Sequence, residues 1–277
     1  MSMKNAQPIS FGKQYSENAI SGDIPPGTIL DTGDAYLVFI RIPEFVSENL
    51  VVDACAYQTR RPISVTGSTF RSPIFCEHEL KQINGFKTMK KQIEWMSGRF
   101  CVKLILKEKF SVSMESCTLS YEEDGAPFLS HDPGRCISLS HSGEYAGAAV
   151  VREMTSVCGL DIEKTSRENM GSFITVAYTE AEQIAAADPR ERFVIWTAKE
   201  AYLKYLRRGF HEPLKSIEYR NGDLFHRGTR VSARLFTQNI DKEHVFSFLI
   251  GKAQNRVCGV SHITQDMGEK DGRSGSV

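Results

Sequence analysis

The sequence lacks an excess of either charge, a paired-cysteine motif and a long apolar run. Lys plus Arg and Asp plus Glu each total 34, which argues against a general nucleic-acid or membrane-surface binder and makes any charge logic local. The cysteines at 55, 76, 101, 117, 136, 158 and 258 are dispersed, odd in number and form no C-x-x-C. Neither a disulfide framework nor a zinc site is indicated, and reduced thiols in the cytoplasm are the expectation. No stretch approaches the roughly 18 to 20 apolar residues of a membrane span, and the polar N-terminus does not read as a signal peptide. A G-x-S-x-G elbow, repeats of residue identity and low-complexity tracts outside the C-terminal tail are also missing. What remains is a chain of 277 residues, long enough for one double-sized domain or two small intimate ones with a sizeable core.

Residues 1–28 mix Ser, Gly, Pro and Asn without periodicity and read as a loose arm, and 266–277 read as a disordered Gly, Ser and charge-rich tail. Between them, Tyr36–Ile40 reads as a buried strand that Pro43 interrupts, with Leu50–Val52 as another short apolar segment. Phe86, Met89, Ile93, Met96, Phe100 and Leu104 recur at three- and four-residue steps and predict an amphipathic helix over 86–106. Strands are expected at Arg135–Ser140, Tyr145–Val151 and Ser156–Asp161. A capping box at Thr179-x-x-Glu182 opens a helix through Ala187, and Pro189 starts another that Gly209 ends. Strand-like runs return at Arg230–Phe236, Val245–Gly251 and Arg256–Val260. The helix-then-strands order appears in both halves, which points to an α+β protein of two similar units, 29–152 and 153–265.

Three short blocks carry chemistry. In Gly159-Leu160-Asp161-Ile162-Glu163-Lys164, Asp161 and Glu163 are two apart on a strand and face one side, an oxygen pair suited to a hard divalent cation. In Trp196-Thr197-Ala198-Lys199-Glu200-Ala201-Tyr202-Leu203-Lys204, Glu200 and Lys204 share a helical stripe. If the blocks meet, they make a magnesium site beside a lysine, completed by a substrate phosphate or pyrophosphate. The bland alternatives are a solvated strand end and a surface i,i+4 pair worth some tenths of a kcal/mol. Lys199 faces away from Glu200, toward phosphate or a partner. In Ser138-Leu139-Ser140-His141-Ser142, a protonatable ring flanked by hydroxyls suits phosphate oxygens better than a nucleophile, because adjacent strand residues face opposite ways. Lys87, Lys90 and Lys91 form either a solvated helix face or a landing site for a second phosphate.

Taken in order, W-M-S-G-R at 95–99, G-A-P at 125–127, S-L-S-H-S at 138–142, G-L-D-I-E-K at 159–164 and W-T-A-K-E-A-Y-L-K at 196–204 resemble the 4'-phosphopantetheinyl transferase superfamily, in its larger pseudo-dimeric type. The resemblance implies transfer of phosphopantetheine from coenzyme A to a serine of an apo acyl or peptidyl carrier protein, releasing 3',5'-ADP. It places Asp161, Glu163 and Glu200 around Mg2+ (or Mn2+) and Lys204 beside the leaving group, with Glu200 as general base. Ser140, His141, Gly125, Pro127 and Lys90 or Lys91 would bind coenzyme A. A monomer without nucleic-acid or membrane partners is the implied state, with carrier contacts in regions such as Met170–Ala187. One departure stands out: the family commonly has Lys or Arg between the glycine and proline of G-x-P, and here Ala126 stands there.

Overall fold

The computed structural model describes residues 24–51, 61–166, 170–186, 188–207 and 212–253. The first 23 residues of the expected arm, the whole expected tail, the Arg256–Val260 run and Gly209 lie outside them. In chain order the elements are β1 (Ile29–Asp31), β2 (Ala35–Arg41), α1 (Ile42–Asn49), α2 (Glu77–Asn84), α3 (Met89–Phe110), β3 (Leu119–Tyr121), β4 (Pro127–Leu129), β5 (Ile137–Ser142), β6 (Tyr145–Val151), β7 (Ser156–Lys164), α4 (Met170–Ala177), α5 (Glu180–Ala185), α6 (Pro189–Leu206), β8 (Ile217–Arg220), β9 (Asp223–His226), β10 (Thr229–Arg230), β11 (Arg234–Asn239) and β12 (His244–Lys252). No helix among the described residues is long and apolar enough to cross a membrane.

Two antiparallel sheets organise the molecule, β1-β2-β6-β5 and β11-β12-β7. Alternation along the strands decides what each face meets. Val38, Ile40, Ala146, Ala148 and Val150 pack against α3 through Met96, Val102 and Ile105. Leu37, Phe39, Ala149 and Val151 face the other way and join Leu160, Ile162, Phe246, Phe248 and Ile250 of the second sheet. Ala198, Ala201 and Leu203 of α6 cover the far side of that sheet at Leu249. The layers therefore run helix, sheet, sheet, helix, and each long helix belongs to one half.

The expected α+β class of two similar halves matches this architecture. A second correspondence is chemical. Glu79, third residue of α2, caps the Cys76 N–H and pairs at 2.8 Å with Lys103 of α3, both fully buried. Glu182, third residue of α5, caps Thr179 and pairs at 2.6 Å with Lys199 of α6, again buried. Each lysine also donates to two backbone carbonyls, Met114 and Cys117 in the first half, Ala177 and Leu214 in the second.

Some boundaries differ from expectation for physical reasons. Strand β2 does end ahead of Pro43, at Arg41, and the proline stands in the first turn of α1, where a helix tolerates a missing N–H. Helix α3 starts at Met89, because the Thr88 hydroxyl caps the Lys91 N–H, which leaves Phe86 in the preceding turn. The run expected at Arg230–Phe236 is divided between β10 and β11. Of the expected Leu50–Val52 segment, Leu50 forms an isolated bridge to Phe70 and Val52 lies outside the described residues.

Candidate active site

Strands β5 and β7 are the edges where the two sheets meet. They run side by side with a constant offset of 22 residues, and their link is made by side chains rather than by a backbone ladder. Ser138 Oγ accepts the Leu160 N–H at 2.9 Å, Ser140 Oγ the Ile162 N–H at 3.2 Å and Ser142 Oγ the Lys164 N–H at 3.1 Å. These hydroxyls satisfy N–H groups that an edge strand would otherwise bury unpaired. Each serine also has a proton to give. Ser140 donates to Asp161 Oδ1 at 2.9 Å and Ser142 to Glu163 Oε2 at 2.9 Å. The serines expected to grip phosphate are thus engaged in aiming two carboxylates.

Asp161 and Glu163 alternate with Leu160 and Ile162, so that while the apolar pair enters the inter-sheet core the acids turn toward α6. Gly159 lets that helix come close: a Cβ there would lie 1.9 Å from the Ala201 carbonyl oxygen and 2.6 Å from the Tyr205 nitrogen. Lys204 Nζ reaches Asp161 Oδ1 at 2.7 Å, and Trp196 Nε1 donates to Glu163 Oε1 at 3.1 Å. The two blocks therefore meet, and Lys204 pairs across elements with Asp161. Lys199 corrects its expectation: fully buried against Glu182, it meets neither phosphate nor a partner.

Asp161, Glu163 and Glu200 are all buried. Burial, reinforced by the charges of Asp161 and Glu163 and opposed by Lys204, pushes the Glu200 carboxyl up to about 7. Asp161 Oδ2 and Glu200 Oε1 are buried oxygens without a hydrogen-bond partner. Such orphans fit a hard cation in donor type and charge. Glu163 fits less directly, since each of its oxygens already accepts a hydrogen bond. Among the described residues no group of three or more His, Cys, Asp or Glu is drawn together tightly enough to hold a metal ion.

His141 is half-buried on β5. Burial lowers its pKa, with Lys91 and Lys204 adding to the effect and Glu94 and Asp161 opposing it, so the ring favours its neutral form. Of the two candidate lysines, Lys91 pairs with Glu94 at 3.0 Å and is felt by His141, whereas the more exposed Lys90 stands 3.7 Å from Glu94.

Gly125 has φ of 80° and closes the β3–β4 hairpin through its N–H to the Glu122 carbonyl. Pro127 pairs with Tyr121 across that hairpin. Two arginines brace it. Arg99, buried and stacked 3.3 Å over Trp95, donates to the Tyr121 hydroxyl at 2.7 Å. Arg207, at the left-handed C-terminus of α6, donates to the Pro127 carbonyl at 3.1 Å and pairs with Glu122 at 3.0 Å. A cation therefore lies beside the turn although Ala126 brings none. Sequence reading missed that Ser142 aims Glu163, that Trp196 donates to the same acid and that Arg207 serves the Pro127 turn. The period-two serine stripe could have revealed the first, since three hydroxyls on one strand face need partners.

Residues 157–258 match the family model of the 4'-phosphopantetheinyl transferase superfamily. The chain is 27% identical over 128 residues to the 4'-phosphopantetheinyl transferase psf-1 of Bacillus pumilus, covering 44% of this chain and 54% of that protein. It is 27% identical over 145 residues to the 4'-phosphopantetheinyl transferase Sfp of Bacillus subtilis (strain 168), covering 50% of this chain and 61% of that one. A holo-[acyl-carrier-protein] synthase of Streptococcus agalactiae is 28% identical over 92 residues, 30% of this chain and 77% of the relative. The chain thus spans little more than half the length of the two Bacillus relatives it matches. A solved holo-(acyl-carrier-protein) synthase from Bacillus anthracis str. Ames superposes with a TM-score of 0.30 and 21% identity over 43% of this chain and 93% of that one, too slight a likeness to carry weight. The matched segment runs from β7 past β12 and holds both carboxylate-bearing blocks, so over that segment the chain is similar to the 4'-phosphopantetheinyl transferase superfamily.

Proposed function

We propose that this protein transfers the 4'-phosphopantetheine group of coenzyme A to a serine hydroxyl of an apo acyl or peptidyl carrier protein in the cytoplasm, as a monomer of the larger, two-halved type. The observation that carries the reading is the meeting of Lys204 and Asp161 beside Glu200, with one oxygen of each acid buried and unpartnered.

Displacement at a pyrophosphate needs alignment and charge neutralisation more than a covalent intermediate. Asp161 and Glu200, with Glu163 alongside, would hold a Mg2+ or Mn2+, which would supply charge neutralisation to the reacting pyrophosphate. The remaining work falls to this chain's side chains. Glu200, beside Asp161 and Lys204, is the carboxylate placed to accept the proton of the attacking serine hydroxyl. As the serine oxygen bonds to the β-phosphorus, the bond to the bridging oxygen breaks and 3',5'-ADP leaves. Lys204 stands ready to offset the charge developing there. His141 and Lys91 offer donors to further phosphate oxygens, Lys90 lies more remote, and the Gly125–Pro127 turn lines the nucleotide side. Ser140 acts through Asp161, which it orients.

Intact-mass spectrometry of an apo carrier protein incubated with this protein, coenzyme A and Mg2+ tests the reading. The expected result is a gain of one phosphopantetheine on the carrier, lost with EDTA and with Asp161→Ala. Coenzyme A binding without a gain on any carrier would mark a non-catalytic binder, and phosphate release without an acceptor would mark a hydrolase; either overturns the proposal.

A further inference from the structure

The serine seam between β5 and β7 begins with a cysteine. One step before β5, Cys136 takes the place in the stripe that Ser138, Ser140 and Ser142 occupy further on, and its sulfur accepts the Cys158 N–H at 3.4 Å. The Cys158 thiol donates to the same sulfur at 4.0 Å, and Arg207 Nη1 does so at 3.7 Å. Three donors, one of them cationic, thus converge on one buried sulfur. Like the hydroxyls of the stripe, Cys136 has an acceptor across the seam, the Cys158 carbonyl oxygen at 3.7 Å, with the Ile137 carbonyl at 4.0 Å; unlike them it also faces a guanidinium and a second thiol.

The other described buried thiols have no such surroundings. Burial pushes Cys117 up to about 11 and Cys101 higher still. At Cys136 the hydrogen bond from Cys158 and the Arg207 charge act against burial and lower its pKa, while the same contact and burial raise that of Cys158.

From this geometry we infer that Cys136 and Cys158 are a peroxide-sensitive dithiol, a modification site whose oxidation ties the two halves together covalently. In the first step the Cys136 thiolate attacks one oxygen of hydrogen peroxide. An S–O bond forms, the O–O bond breaks, and hydroxide leaves to be protonated as water, with Cys136 oxidised to a sulfenic acid and peroxide reduced. In the second step the Cys158 sulfur attacks the Cys136 sulfur, the S–S bond forms, the S–O bond breaks, and the departing hydroxide takes the Cys158 proton as a second water. The sum is two thiols plus one peroxide to one disulfide plus two waters. The sulfurs must close from 4.0 Å to about 2 Å, which draws β7 toward β5. Cys158 lies on the same strand as Asp161, so oxidation lowers transfer. That consequence rests on the proposed function; the crosslink does not.

The test is to treat the folded protein with hydrogen peroxide, block remaining thiols, and map peptides without reduction. A Cys136–Cys158 linked pair is expected, reversed by dithiothreitol and absent from Cys136→Ser, a variant that extends the serine stripe and keeps the N–H acceptor. In Cys158→Ser, dimedone should label Cys136 instead, because the sulfenic acid has no resolving thiol. Arg207→Gln should slow the linkage on the order of tenfold by lowering the thiolate fraction. No linked pair and no dimedone label, under peroxide that oxidises the half-exposed Cys76, would overturn the inference. A linkage rate unchanged in Arg207→Gln would overturn the role given to the guanidinium. Both readouts are independent of whether any carrier is modified.

Discussion

At the scale of single residues, Glu200 shows the cost of the site most clearly. Its carboxyl is buried beside two other acids with only Lys204 to offset them, and it is raised from 4.5 to about 7. A folded-state pKa above the unfolded one means that the native protein holds the extra proton between those values. Stability from this group is therefore present below about 4.5 and lost as pH rises through about 7. Glu200→Gln removes the repulsion and keeps the shape, so without a divalent cation it should unfold later than wild type at pH 8, by up to about 3 kcal/mol, with the gap closing toward pH 5. The same substitution should abolish transfer. Denaturant melts at the two pH values check the first statement, and the carrier mass assay checks the second. A variant no more stable at pH 8 would show that the carboxylates do not strain the fold.

At the scale of elements, the register of β7 against α6 brings the two blocks together, and Gly159 sets the distance. Gly159→Ala puts a methyl against the helix backbone at Ala201 and Tyr205. Backbone cannot give way as a flexible side chain can, so the helix must move off the strand at a cost of about 1 to 3 kcal/mol. Glu200 and Lys204 ride on that helix, and transfer should fall along with the unfolding midpoint. A variant with wild-type stability and rate would mean that the close approach is not what positions them. Much of this level was legible beforehand. Tyr145–Val151 is a run of small and β-branched residues bounded by turns, and it is β6 to the residue. Thr179 and Glu182 form the capping box that their spacing announces. Ser138, Ser140 and Ser142 were harder, because a strand face of hydroxyls reads as solvent-facing or ligand-facing when no neighbour is known. Their partners are the N–H groups of a strand in the other half, more than twenty residues on, and only the tertiary arrangement supplies them. Pro43 was ambiguous for a similar reason: a proline ends a strand and begins a helix with equal ease.

At the scale of the whole molecule, two halves share one support device but divide the chemistry. In each, a lysine from the long helix neutralises the capping glutamate of a shorter one and collects two carbonyls from the loops around it. Lys199 reads in sequence as a neighbour of Glu200 in a charged helix; a helix turns 100° per residue, so adjacent side chains serve different surfaces, and this one faces the core. Losing either lysine leaves a buried carboxylate uncompensated, at about 3 to 5 kcal/mol. Lys103→Met and Lys199→Met should therefore lower stability by similar amounts in urea unfolding. Pairing Lys199→Met with Glu182→Gln should recover part of the loss, since the amide oxygen can still accept the Thr179 or Tyr219 N–H that Glu182 now holds. The halves should part company in activity under conditions where both variants remain folded. Lys199 sits on the helix that carries Glu200 and Lys204, so its loss should lower kcat, whereas Lys103 supports a helix that bears no carboxylate of the site, and its loss should leave kcat near wild type. Equal falls in kcat would mean that the two halves act on the reacting groups as a single rigid unit.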